Sequence, residues 1–189
     1  MDYINSGDLI LDSLDIGIPS LTKIKAAMLK EACIWCLTQC EHENGVKITC
    51  VICDNNACYS IKWNRDVDID GIFRAYNIDD AVEYGAEALS LLLIRERTDF
   101  TAIRRAVQPE GIDYWLGYKE KDKTSLFSMA DARLEISGIL RERGSNKLKY
   151  RTKAKLRQTQ ASDYIFPVFV SIIEFSYPKA EMVRKDANN

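Results

Sequence analysis

The segment "FPVFVSIIEFS", residues 166–176, constrains the fold most. It is long, apolar and rich in β-branched residues, the pattern of a strand buried on both faces of a covered sheet. A chain built around it is an α/β protein whose sheet is flanked by helices. The neighbouring segments supply the layers. "NIDDAVEYGAEALSLLLIRERTD" (77–99) reads as a helix that opens near Asn77 or Asp79 and becomes apolar toward its end. "FTAIRRAV" (100–107), "GIDYWLGY" (111–118) and "ARLEISGI" (132–139) read as short strands, and "YRTKAKLRQTQAS" (150–162) as a polar, basic helix. The second half therefore runs α-β-β-β-α-β.

The first half is simpler. Residues 20–40 have helical spacing at Leu21, Ile24, Ala27, Met28, Ala32 and Trp35, with Ser20 in place to cap the helix. "VKITCVICD" and "CYSIKWNRD" read as two strands joined by a turn at Asn55-Asn56. Residues 1–76 are thus expected to form a helix and hairpin extension, and residues 77–189 a core. The last residues, "VRKDANN", read as a frayed end.

Charge narrows the function classes. The chain has 189 residues, 47% of them hydrophobic and 29% charged, with a net charge of −2. It is no polyelectrolyte, and no apolar run approaches the ~20 residues needed to span a bilayer. Residues 1–20 hold four Asp and no Lys or Arg, which speaks against a secretory leader and for a cytoplasmic protein. Residues 141–157 hold eight basic residues and one acid, a local cluster able to attract phosphates.

Six cysteines lie between residues 33 and 58. Cys33-x-x-Cys36 and Cys50-x-x-Cys53 have the arithmetic of a zinc site. The first pair falls on a helix and the second on a strand, where residues three apart face opposite ways, so buried free thiols are expected rather than zinc. His42, the only histidine, falls in the polar "EHENG" turn and is expected at the surface.

Two acids stand out. Side chains alternate along a strand, so in "RLEIS" Arg133, Glu135 and Ser137 share a face. Glu135 interrupts an apolar strand, and an acid is rarely buried there without a partner. Asp113 heads the preceding strand after a Gly, where it can also cap a backbone group. If the strands are neighbours, the two carboxylates converge, and such a pair suits Mg²⁺. Arg151 with Lys155, and Lys153 with Arg157, stack four residues apart along the basic helix; their mutual repulsion would be relieved by an anion. Tyr114, Trp115 and Tyr118 suit base stacking, but a strand beside a core has the same composition, and at least two are expected inside.

The order helix, strand, strand with Asp113, strand with Glu135, basic helix, strand resembles the PD-(D/E)xK, or restriction-endonuclease-like, superfamily. The blocks "GIDYWLG", "ARLEISGI", "KLRQTQASD" and "PVFVSIIEFSYP" are also similar to those of a group of small uncharacterised bacterial proteins. The likeness covers roughly residues 77–180. It implies a metal-dependent nuclease acting on DNA, with genome defence as its setting. Asp113 and Glu135 would hold Mg²⁺ or Mn²⁺, and Glu83 would support the metal from the preceding helix. The superfamily lysine, two residues after the Glu, is Ser137 here. Lys153 or Lys155 would supply the missing cation. Arg133, Arg151, Lys153, Lys155, Arg157 and Gln158 would face the nucleic acid. The other reading is a non-catalytic nucleic-acid- or protein-binding subunit that keeps the fold and has lost the chemistry. A third is a small zinc-bearing interaction module. Residues 1–76 could serve a homodimer or a larger partner.

Overall fold

A computed structural model describes residues 5–64, 66–107, 111–120, 130–159 and 166–187. It is an α/β structure. Among these residues one mixed, eight-stranded sheet carries four α-helices. The strands are β1 (Asn5–Ile10), β2 (Lys47–Ile52), β3 (Asn55–Lys62), β4 (Phe100–Arg105), β5 (Tyr114–Tyr118), β6 (Ala132–Ile139), β7 (Val168–Glu174) and β8 (Lys179–Lys185). The helices are α1 (Lys23–Gln39), α2 (Ile69–Ala75), α3 (Ile78–Arg97) and α4 (Leu148–Gln158). Across the sheet the order is β1-β3-β2-β8-β7-β6-β5-β4.

The segment that anchors the sequence reading becomes β7, and all seven of its residues are buried. Its alternation divides the molecule. Val168, Val170 and Ile172 pack with Ile139 against Leu148 and Leu156 of α4. Phe169 and Ile173 join the larger core with α1 and α3 on the other face. Strand β6 runs parallel to β7 and antiparallel to β5.

Helix α3 begins where Asn77 accepts a hydrogen bond from the Asp80 backbone N–H, 3.0 Å away. Its central turns are buried on nearly every side because α1 and the sheet enclose it. At Gly138, on β6, a Cβ would lie 2.3 Å from the Val82 carbonyl oxygen. The bare backbone there lets α3 sit directly on the strand.

Several expectations are corrected. The α1 cap is Thr22, whose hydroxyl accepts from Lys25 N at 3.2 Å, and not Ser20. The buried stripe is Ala26, Leu29, Ala32 and Cys33 onward, while Ile24 is 84% exposed. The hairpin turns at Cys53-Asp54, both with positive φ (47° and 66°), and Asn55 and Asn56 begin β3. Cys53 is therefore a turn residue, and Cys50 alone of that pair lies on the strand. Cys33, Cys36, Cys40, Cys50 and Cys58 are buried free thiols, and burial pushes those of Cys33, Cys36, Cys40 and Cys50 upward, away from the thiolate. His42 is partly buried. Its Nε2 lies 3.0 Å from the Phe175 carbonyl and 3.2 Å from that of Ser176, so this nitrogen carries the proton and donates.

The end expected to fray contributes Val183, Arg184 and Lys185 to β8, a strand inside the sheet. Its inward residues, Ala180 and Met182, are buried, and its charged residues alternate with them. Strand β8 pairs with β7 on one side and with β2 on the other, so the N-terminal hairpin extends the same sheet.

Candidate active site

The site exists because two neighbouring strands differ in length. Strand β5 pairs with β6 only at Tyr114↔Leu134, Trp115↔Arg133 and Leu116↔Ala132. Strand β6 continues beside β7 to Ile139. From Glu135 onward the β5 side of β6 thus has no strand partner among the described residues. Asp113, just before β5, fills the first gap: its backbone N–H donates to Leu134 O at 2.9 Å, and its Oδ2 accepts from Ile136 N at 2.8 Å. The bland reading of Asp113 as a backbone cap is correct, and the cap holds the carboxylate beside Glu135.

Along this uncovered edge opens a cleft of about 770 Å³. Strand β6 lines it from Glu135 to Ile139. Helix α3 contributes Ile78, Val82, Glu83 and Glu87, and α4 contributes Arg151, Lys155 and Gln158.

Glu135 is 3% exposed. Its Oε1 accepts from Lys155 Nζ at 2.5 Å and from Gln158 Nε2 at 3.3 Å. Asp113, held on the neighbouring Ile136 N–H, is close enough for its charge to act on the same carboxyl. Burial and then the charge of Asp113 push Glu135 up to about 7, against the pull of Lys155. Asp113 is also raised, by burial, while the Ile136 N–H, Lys155 and Arg105 hold it down. Two adjacent carboxyls, Glu135 buried and Asp113 half-buried, cannot both ionise cheaply, and one amine neutralises only one charge. An all-oxygen donor pair with surplus negative charge fits Mg²⁺ or Mn²⁺ better than zinc.

The other expected residues fall unevenly. Glu83 lines the cleft but is exposed, and its carboxylate lies 4.0 Å from Arg105 Nη2. No group of three His, Cys, Asp or Glu side chains is placed to hold a metal among the described residues. Lys153 and Arg157 are exposed and do not line the cleft. Of the two candidate lysines, Lys155 reaches Glu135. Arg133 does not face a ligand: it is 1% exposed, and its Nε and Nη2 donate to Phe166 O at 3.1 and 2.8 Å. Strand alternation placed it on the Glu135 face, but burial beneath the Phe166 backbone takes it out of reach. Of the aromatics, Tyr114 is buried, Trp115 is half-buried against Phe166, and Tyr118 is exposed.

Glu87 was missed. It is 3% exposed on α3 and accepts from the Tyr114 hydroxyl and from Arg105 Nη1 at 3.0 Å, with Lys25 Nζ 3.5 Å away. This network ties α3 to the residue next to Asp113. Its signal was legible: an acid inside "GAEALSLLLI" is as anomalous as Glu135 inside its strand.

No family model, curated protein or solved structure matches the chain. The functional reading therefore rests on this geometry and on the sequence resemblance.

Proposed function

We propose that this chain is a metal-dependent nuclease, with a restriction-endonuclease-like core, acting on DNA phosphodiesters. The observation that carries the reading is the meeting of three groups from separate elements: Asp113 before β5, Glu135 on β6 and Lys155 on α4. Asp113 and Glu135 are the groups to hold Mg²⁺ or Mn²⁺, and the bound ion would activate water and stabilise charge on the phosphoryl oxygens. Lys155 stands in for the cation that Ser137 cannot be. Its ammonium, fixed on Glu135, orients a water and offsets negative charge that builds near the carboxylates. Gln158 positions the same carboxylate oxygen. A role in genome defence, and a partner or second copy on residues 1–76, belong to the resemblance.

The test is incubation with plasmid and single-stranded DNA in Mg²⁺, Mn²⁺ or EDTA. Cleavage is expected with metal, with losses of roughly 100-fold or more in Glu135→Ala and Lys155→Met. Cleavage that persists in EDTA or in Glu135→Ala removes this site from the reaction. One observation favours a second reading. Glu135 already gives one oxygen to both Lys155 and Gln158 and is almost wholly buried, so a metal must compete for it. A wild type that binds DNA but cuts nothing with either metal is the binding subunit.

A further inference from the structure

The cleft has cations of two kinds. Lys155 is engaged by Glu135. Arg151 is held differently. Its Nη1 donates to Ser137 Oγ at 3.2 Å and its Nη2 to Asn146 Oδ1 at 2.7 Å. Both acceptors are neutral, and no carboxylate lies within ion-pair distance of Arg151 among the described residues. Its acceptors thus fix the guanidinium without discharging it. Of its five N–H donors two are engaged, which leaves three for a ligand.

The placement follows from the fold. Ser137 lies two residues along β6 from Glu135, on the same face, and Arg151 lies one helical turn before Lys155. Arg151 and Lys155 therefore stand in register with Ser137 and Glu135. A longer side chain at position 137 would fill the seat that the short hydroxyl leaves for the guanidinium. Asn146 belongs to a small turn closed by its bridge to Arg143, so the second acceptor is fixed too. Arg141, whose Nη2 donates to Gln39 O at 2.8 Å, adds charge to the same end of the cleft. On the opposite wall Glu87 is offset by Arg105 and Lys25, and Glu83 is exposed with Arg105 4.0 Å away. The charge free to meet a polyanion in the cleft is thus on the α4 side.

We infer that Arg151, seated by Ser137 and Asn146, is a substrate-positioning residue that binds a DNA phosphate next to the one presented to Glu135 and Lys155. Ser137 is then a positioning residue for the arginine. The substrate class rests on the nuclease reading; the anion site rests on the contacts of Arg151 alone. A planar guanidinium grips two phosphate oxygens at once, so lysine does not replace it fully.

The experiment measures binding of short fluorescein-labelled DNA by anisotropy, in EDTA so that no cleavage intervenes, across a salt series. Arg151→Gln is expected to weaken binding about tenfold and to lower the salt slope by about 1. Arg151→Lys should keep the slope and recover only part of the affinity. Ser137→Ala should weaken binding about threefold with the slope unchanged, since the charge stays but its seat loosens. Thermal unfolding of each variant controls for folding. Wild-type affinity and slope in Arg151→Gln overturn the inference, as does a wild type that binds no DNA. A wild type that binds but does not cut, with the Arg151→Gln loss intact, sinks the nuclease reading and leaves this site standing. A wild type that cuts, with Arg151→Gln binding unchanged, does the reverse.

Discussion

At the scale of single residues, Glu135 is under tension between burial and charge. A carboxyl with its titration raised from 4.5 to about 7 favours the folded state most when protonated. Its stabilising contribution is fully present below its unfolded value and is lost as pH rises through about 7. The shift corresponds to a few kcal/mol, at about 1.36 kcal/mol per unit. Glu135→Gln is therefore expected to flatten the fall in stability between about pH 4.5 and 7. Urea denaturation of wild type and variant at several pH values measures this. Parallel curves would mean that Lys155 already offsets the cost of burying the charge.

At the scale of elements, the cleft depends on how closely α3 and α4 approach β6. The α3 contact is set at Gly138, where a Cβ would fall 2.3 Å from Val82 O and 2.6 Å from Val82 Cγ1. The first clash is with backbone, so the helix itself must move. Gly138→Ala is expected to cost about 1–3 kcal/mol, read as a lower urea midpoint with an unchanged slope. On the other side, the single hydroxyl proton of Thr152 on α4 is shared between Leu148 O and the Glu181 carboxylate on β8. Leu148 and Leu156 pack on β7. These few contacts offset the repulsion along the basic face of α4, and Arg151 and Lys155 each gain acceptors from β6.

At the scale of the whole molecule, β2 and β8 form the seam. Four residue pairs, Thr49↔Lys179 to Ile52↔Met182, join the hairpin to the strands of the second half, and α1 packs on α3. Residues 1–76 and 77–189 are then expected to unfold together. Tryptophan fluorescence reports on Trp35 of α1, Trp63 after β3 and Trp115 of β5, and circular dichroism on all the helices. Coincident urea transitions are expected. Two separated transitions would make the extension an independent unit. No helix among the described residues is long and apolar enough to cross a membrane.

The sequence by itself determined the elements whose signal is local. The β-branched run of β7, the capped start of α3, the eight residues of β6 and the acid stranded within it were all legible, because period, caps and burial of charge are written in neighbouring residues. Strand β8 was not, because its charged residues resemble a solvated tail until β2 and β7 take up its backbone groups. Nor was the hairpin turn, since Cys53-Asp54 carries no glycine to announce its positive φ. The choice of Lys155 over Lys153, the burial of Arg133 and the seat of Arg151 were decided by tertiary structure alone. The lysine choice and the arginine seat depend on which side of α4 lies against β6, and the burial of Arg133 on the Phe166 backbone that covers it, relations between segments that no local pattern encodes.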